Sequence, residues 1–591
     1  MKRPKNRLHR VLVVGATPAG IAAVSKLGEL GIPVTLTDPE PDLDRKLARE
    51  EWRLASGLSL NFAQRSALLR ILRNPDIRTL LPARVTKLKH TPQGFRAHLE
   101  LEPTYVDPDR CTLCGKCVEA CPVHTPDGTR PIISNGRRSL PGRPVIDKRR
   151  KPPCQESCPL GVNAQAYIAL ARAGRYREAL EVVRRDNVLP GICGRVCTHP
   201  CEDACRRGEL DDPVAIRHIK RFLADYELEH PPAVETSPSP RREGKIAVVG
   251  SGPAGLAAAA DLARLGYEVE VYEKEERAGG LLRYGIGKHR LPREILEVEL
   301  AHIEGLGVKF LLGQPVDFQG GLQELRDRYD AVVLATGTWE DRPLGVPGEE
   351  LEGVEGCLSL LQRLYREEVE RMEEEVAVIG DGNAAFDLAR SVRRMGARVT
   401  ILSWFPEDLI PADEEELRGA REEGIRIVDR TQVVAFLGRD GRLERLRCTP
   451  TEPGPPDENG IPWPVKVQGA RPFELAFDRA LVAIGQKGPY DRSSGNLSVT
   501  TRGLIAVDEE MSAGPPGVFA AGDATRGPSS VVEAMASGRA TALAVHRSLA
   551  GDEPAESTPL RPKDRDFSEI PPDIPSLHRP TMPERQPGAR C

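Results

Sequence analysis

The sequence predicts an α/β chain in which Rossmann-like βαβ units flank a cysteine-rich, largely helical segment. Three observations predict it. A buried strand, a glycine turn and a helix recur three times, with turns opening at Gly15, Gly250 and Gly380. Ten of the thirteen cysteines fall between Cys111 and Cys205. A chain of 591 residues exceeds what one hydrophobic core serves, so about three to five domains are expected.

Composition narrows the function classes. A net charge of −4 gives no electrostatic footprint for a nucleic-acid partner. The opening MKRPKNRLHR is basic, but Gly15, Thr17, Pro18 and Gly20 break the apolar stretch behind it, which reads as a strand and turn and not as a leader. No run of about 18 apolar residues offers a membrane span. These features predict a cytoplasmic chain, where thiols stay reduced.

Residues 1–100 form the first unit. Its turn carries Thr17 where the middle glycine of a dinucleotide fingerprint would stand, and Asp38 ends the second strand. Residues 101–130 hold Cys111, Cys114, Cys117 and Cys121, followed by Pro122. Four thiolates in the spacing C-x2-C-x2-C-x3-C-P hold a 4Fe-4S cubane; zinc knuckles supply their ligands in separated pairs, and disulfides do not suit a reducing compartment. Residues 131–150 read as a basic connector. Residues 151–229 carry Cys154, Cys158, Cys193, Cys197, Cys201 and Cys205 among helix-forming sequence, with Gly194 and Pro200 breaking the last run into turns around metal. Four thiolates per cubane make ten cysteines enough for two clusters, so at least two are expected.

A proline-rich linker, 230–243, leads to the strongest nucleotide signature. Gly250 makes the tight turn, Gly252 admits a pyrophosphate, Gly255 lets the helix pack on the strand, and Glu273 stands where ribose hydroxyls would be held. Gly280, then Ala335-Thr336-Gly337, then Gly522-Asp523 extend the same site along the chain. The third unit gives Gly380, Gly382 and Asn383. Counting 23 residues from each first glycine reaches Asp38, Glu273 and Ser403, so the third unit lacks a carboxylate there and also lacks the arginines suited to a 2′-phosphate. NADH is therefore favoured over NADPH, with both open. The tail, 551–591, is rich in proline and charge and reads as an extended arm.

The run PCQESCPLGVNAQAYIALARAGRYREALEVVRRDNVLPGICGRVCTHPCEDACRRGELDDPVAIRHIKRFLAD resembles the iron-sulfur domain of the glutamate synthase small subunit, found also at the N-terminus of dihydropyrimidine dehydrogenase. That resemblance implies ligand roles for Cys154, Cys158, Cys197, Cys201 and Cys205. The chain departs from the pattern in lacking an earlier cysteine pair upstream and in having Lys220 where a Glu or Gln ligand is expected. Residues 95–123 are similar to the ferredoxin insert of the heterodisulfide reductase flavoprotein subunit. The later glycine motifs resemble the FAD domain of the two-dinucleotide-binding-domain flavoproteins. Such a fold implies FAD bound by 244–345 and 470–550, a nicotinamide domain inserted at 346–469, and Gly522-Asp523 at the ribityl and pyrophosphate groups.

Together these readings predict an iron-sulfur flavoprotein enzyme that passes electrons between NAD(P)H, FAD and 4Fe-4S clusters, to or from a partner redox subunit or a ferredoxin-like carrier. No individual catalytic residue stands out. After Gly280 only Cys357, Cys448 and Cys591 remain, so no dithiol is available for disulfide reduction. Two alternatives stay open: the glutamate synthase small subunit itself, and a non-enzymatic electron conduit with an inert nicotinamide site. One FAD per chain is expected, the first unit being either a scaffold or half of a site completed elsewhere.

Overall fold

The computed structural model describes residues 11–40, 43–91, 94–101, 114–121, 132–133, 145–146, 151–231, 242–318, 320–369, 371–457, 460–490, 497–550, 576–580 and 582–583. The chain divides into two compact units, one made mainly of Met1–Pro152 and the other mainly of Pro153–Ala171 and Arg175–Pro554.

In the first unit the apolar strand Val11–Val14 pairs in parallel with Val34–Thr37, which pairs in parallel with Ile77–Leu80. The helix Pro18–Glu29 crosses between the first two strands, as right-handed βαβ connections require. Thr17 has a local role here: its side chain caps that helix, accepting a hydrogen bond from the Gly20 amide at 3.3 Å. Ile21, Val24, Leu36, Leu43, Leu47 and Ile71 close a small core, each contributing about 1.5–3 kcal/mol of burial. A hairpin of Ala83–Thr91 and Gly94–Leu101 follows. Within the connector, Ile132–Ile133 and Val145–Ile146 pair antiparallel.

The second unit opens with helices Ala164–Arg172, Tyr176–Asp186, Pro190–Val196 and Ile216–Glu229. Gly174, at φ +73°, turns the chain between the first two. Leu180, Val183, Ile192 and Leu223 are buried between these helices. Gly194 has to be glycine, because a Cβ there would meet the Arg221 Cα at 2.7 Å, so the helices Pro190–Val196 and Ile216–Glu229 touch backbone to backbone.

The FAD-type sheet has five parallel strands in the order Lys309–Leu311, Glu268–Tyr272, Lys245–Val249, Ala331–Leu334, Val518–Ala520. Its last strand arrives from nearly 190 residues downstream, with Val332 opposite Val518. The intervening chain builds a second parallel sheet, Val354–Gly356, Arg479–Val482, Glu375–Ile379, Arg398–Leu402, Arg426–Val428. An antiparallel set, Thr431–Arg439 with Arg442–Pro453, flanked by Pro464–Lys466 and Phe473–Ala476, is inserted in it.

Two expectations change. Arg479–Val482 belongs to the second sheet, so the chain returns to the first only after Val482 and not at 470; the segment is equally apolar in either setting, and only its partners, Val376–Ile379 on one side and Val354–Gly356 on the other, distinguish them. In the tail, residues 576–580 do not extend freely: the Leu577 amide donates to Asp211 at 2.8 Å and the Arg579 amide to Asp212 at 3.0 Å. The remainder of the tail, apart from 582–583, and linker residues 232–241 lie outside the described residues.

Candidate functional site

Gly250 turns at φ +106° directly after the central strand, and Gly255 follows on the first turn of the helix Pro253–Arg264. A Cβ on Gly255 would meet the Gly250 carbonyl at 2.0 Å, so that glycine lets the helix close on the turn. A Cβ on Gly252 would stand in open space, within the wall of a cavity of about 630 Å³. That volume is within the range of cofactor pockets.

The cavity brings together most of the residues expected from sequence: Gly250, Gly252, Glu273, Gly280, Ala335, Thr336, Gly337, Asn383 and Asp523 line it. Gly255, Gly380, Gly382 and Gly522 do not line it. Gly522, at φ +69°, donates its amide to Ser537 Oγ at 2.9 Å, and a Cβ there would meet Ala254 Cβ at 2.6 Å. Gly380, at φ +132°, passes 2.3 Å, measured from its ideal Cβ, from the Ala483 carbonyl oxygen.

Glu273 is buried and its carboxylate is already engaged with the turn. It accepts from the Ser251 amide at 3.1 Å, from Ser251 Oγ at 2.5 Å and from the Glu275 amide at 3.0 Å. Ser251 Oγ also accepts from the Gly279 amide at 2.9 Å, so one hydroxyl ties both glycine segments together. The third unit has the same pair reversed. Ser403 Oγ lies 2.7 Å from Asp381 Oδ2 and 3.0 Å from the Phe405 carbonyl oxygen, and both residues are buried. Burial raises the Asp381 carboxyl above its ordinary value, the Ser403 hydrogen bond opposing it. In the first unit Asp38 accepts from the Ala16 amide at 2.5 Å and from Lys46 Nζ at 2.7 Å, which occupies the carboxylate a ribose would need.

Asp523 is pushed up to about 6 by burial, against hydrogen bonds from Ser529. Asn383 is fixed by reciprocal bonds to Asp413, its Oδ1 accepting from the Asp413 amide at 2.8 Å and its Nδ2 donating to Asp413 Oδ2 at 3.2 Å. Arg290 joins the two nucleotide domains, 2.5 Å from Asp387 and 2.8 Å from Glu416.

Among the wall residues that the sequence reading missed are Val196 and Thr198. Both flank Cys197, so the cysteine spacing held the signal, though nothing in it showed which side faced the flavin domain. Nearby, Cys193 Sγ lies 3.8 Å from Met535 Sδ, and Ala534, the residue before Met535, lines the cavity.

Four of the six cysteines of the helical domain surround Lys220, and Cys154 lies near both Cys205 and Cys158. Cys158, Cys193, Cys197 and Cys201 all bear on Lys220, whose ammonium is buried; desolvation works to lower its pKa, and the thiols outweigh that and raise it. Burial pushes Cys193 and Cys201 up to about 12, with Lys220 pulling the other way. Cys154 is raised by burial and then by Cys205. Lys220 thus stands as a counter-charge inside a thiol group, and not as a ligand, since an ammonium has no lone pair to offer. Among the described residues no three of these side chains converge on a single metal-ion position; a cubane has its irons at separate corners, each with its own thiolate, and so asks for spread thiols. Cys114 and Cys117 are exposed beside Cys121 around the short helix Lys116–Ala120, and Cys111 lies outside the described residues. Cys357 and Cys448 are buried and apart from each other in sequence and core, with burial raising both thiols. Cys591 lies outside the described residues.

Residues 244–538 match the pyridine nucleotide-disulphide oxidoreductase family, 148–231 the 4Fe-4S domain II of dihydropyrimidine dehydrogenase, and 104–127 a 4Fe-4S binding domain. The chain is 37% identical to the beta subunit of an NADP(+)-dependent formate dehydrogenase of Moorella thermoacetica, over 71% of this chain and 64% of that one. It is 33% identical to the beta subunit of an NADPH-Fe(3+) oxidoreductase of Geobacter sulfurreducens, over 74% and 70%. It is 35% identical to the NADPH glutamate synthase small chain of Mycobacterium tuberculosis, over 70% of this chain and 88% of that one. The chain therefore spans 64% to 88% of the length of these relatives. FprA of Mycobacterium tuberculosis in complex with NADPH aligns at a TM-score of 0.46 and 20% identity, over 52% of this chain and 85% of that one.

Proposed function

The chain belongs to the FAD- and NAD(P)-dependent iron-sulfur oxidoreductases that include the glutamate synthase small chain, and from that premise we propose that it carries electrons between a nicotinamide nucleotide and a partner redox subunit, leaving or entering its flavin site beside Cys197. One observation carries the route: Val196 and Thr198, either side of Cys197, line the cavity that the Gly250–Gly252 turn opens into.

When bound there, FAD accepts two electrons and a proton as a hydride and releases the electrons singly to 4Fe-4S clusters, which is the chemistry side chains cannot supply. The protein positions and shields. Ser251 and Glu273 hold the turn and Gly279 in one hydrogen-bonded set, so the amides around Gly252 keep a fixed approach for a pyrophosphate. Arg290, tied to Asp387 and Glu416, fixes the nicotinamide domain against the wall of the same cavity. Cys158, Cys197 and Cys201 are proposed as thiolate ligands of the cluster nearest the flavin, with Cys193 as the fourth and Lys220 as internal counter-charge. Cys114, Cys117 and Cys121, with Cys111, are proposed to hold a second cluster.

The partner is proposed as a catalytic redox subunit. Relatives carry names of beta subunits or small chains, of a formate dehydrogenase, an Fe(3+) oxidoreductase and a glutamate synthase. Among the described residues no helix is long and apolar enough to cross a membrane, and a cytoplasmic setting, which keeps the thiols reduced, is part of the proposal. Anaerobic addition of NADH or NADPH tests the reading: the flavin absorbance bleaches and cluster reduction follows. A flavin that neither nucleotide bleaches would leave only an electron conduit with an inert nicotinamide site.

A further inference from the structure

A second cavity, of about 1100 Å³, lies where the helices Pro190–Val196 and Ile216–Glu229 face the loop at 288–294, the helices Asn383–Arg394 and Glu414–Glu422, and the tail at 579–583. Arg290 is the one residue it shares with the flavin cavity. Its wall is rich in cations: ten lining residues are Arg or Lys, and two, Glu294 and Glu415, are acidic.

Most of these cations have acidic partners, Arg195 with Asp225 at 2.7 Å, Arg390 with Glu416 at 2.6 Å, and Arg217, Arg290, Arg394 and Arg579 each with a carboxylate. Those partners leave donors over. Among the described residues, Arg195, whose side chain is only 8% exposed, has a buried Nε with no hydrogen-bond partner, and His289 Nε2 has none. The field of the wall is also felt by its own members. Burial, followed by Arg394, Arg390 and Arg290, takes His289 down to about 2. Burial and then Arg195 lower Arg221. A guanidinium with one carboxylate partner keeps further N–H donors, and a cavity lined by ten cations matches a ligand of several negative charges. Pro292, Pro580, Met582 and Pro583 add apolar surface to the same wall, suited to the face of a planar base.

We propose that this cavity binds a nucleoside polyphosphate, with its phosphates among the arginines and its base against the tail prolines. The site goes beyond the electron-transfer reading and does not depend on it. It offers a link to the clusters, because Arg579, which lines it, is held 2.6 Å from Glu202, the neighbour of Cys201.

The test is calorimetry on the FAD- and cluster-loaded chain under anaerobic conditions, with ATP, pyrophosphate and orthophosphate as probes. ATP should bind one to one, at least tenfold tighter than pyrophosphate, and more weakly as salt rises. Arg418→Glu, at a half-exposed position that keeps the fold, should weaken ATP at least tenfold and leave flavin bleaching by NADH unchanged; Arg221→Gln should act in the same direction. Gly382→Trp, which obstructs the nicotinamide turn, should leave ATP binding intact. Loss of ATP binding in Gly382→Trp with retention in Arg418→Glu would overturn the proposal, as would no ATP binding at millimolar concentration. Equal affinity for ATP and pyrophosphate would overturn the nucleoside part of it, and capture of an acidic protein without ATP binding would replace it with a docking surface.

Discussion

Ser403 Oγ stands 2.7 Å from Asp381 Oδ2, the mirror of the Ser251–Glu273 pair one nucleotide unit earlier, with acid and hydroxyl exchanged between the turn and the end of the second strand. The hydrogen bond that braces the turn is kept in both units. What moves is the carboxylate, which in the third unit sits on the glycine turn itself.

A carboxylate at that turn repels a 2′-phosphate, and no arginine replaces it within Ser403-Trp404-Phe405. NADH should therefore reduce the flavin faster than NADPH, although three of the relatives bear NADP(H) in their names. Asp381→Asn should narrow the gap by raising the NADPH rate several-fold in stopped-flow bleaching. A tenfold advantage of NADPH in the unaltered chain would reverse the assignment.

One FAD per chain is expected. Gly252 opens on the cavity, whereas Thr17 caps a helix and Asp38 is occupied by Lys46. Gly252→Trp should abolish flavin, and Thr17→Trp should leave it, both read by acid extraction and chromatography. Two flavins per polypeptide would show that the first unit binds one after all.

Glu299 forms a titrating joint between the FAD-type domain and the helical domain. Its Oε1 accepts from the Gly191 amide at 2.6 Å, its Oε2 has no hydrogen-bond partner among the described residues, and burial pushes it up to about 7. A carboxyl raised on folding binds its proton more tightly in the native state, so stability falls as pH rises from about 4.5 to about 7 and levels off above. Glu299→Gln should remove that slope and stabilise the protein at pH 8 by on the order of 3 kcal/mol. Parallel urea-unfolding curves at pH 5 and pH 8 check it; an unchanged slope in the variant would place the titration elsewhere.

Much of this was legible in the sequence, because backbone requirements leave marks. Gly250, Gly252 and Gly255 announce a turn, an opening and a close helix contact, and the structure puts each to that use. The cysteine spacing at 111–121 names its chemistry in the same way. Pairings over long separations leave no such mark. That Arg479–Val482 joins the second sheet depends on Val376–Ile379, a hundred residues away, and that Val196 and Thr198 face the flavin cavity depends on how a helical domain docks. Ser403 was read as a missing carboxylate because counting along one strand cannot see Asp381 across the turn.

Iron content follows from the thiol groups. Anaerobically purified or reconstituted protein should carry at least about eight irons per chain, two cubanes' worth, and Cys114→Ser should remove about four. Four or fewer irons after full reconstitution would defeat the two-cluster reading.

The most direct measurement is freeze-quench EPR alongside stopped-flow absorbance after NADH is mixed with the loaded chain and with Cys197→Ser. The unaltered chain should bleach its flavin and then show reduced 4Fe-4S signals together with electron delivery to an external one-electron acceptor. Cys197→Ser should still bleach at a similar rate but lose the signal of the flavin-proximal cluster and most of the delivery. Full delivery in Cys197→Ser, with the proximal signal gone, would contradict exit of electrons beside Cys197.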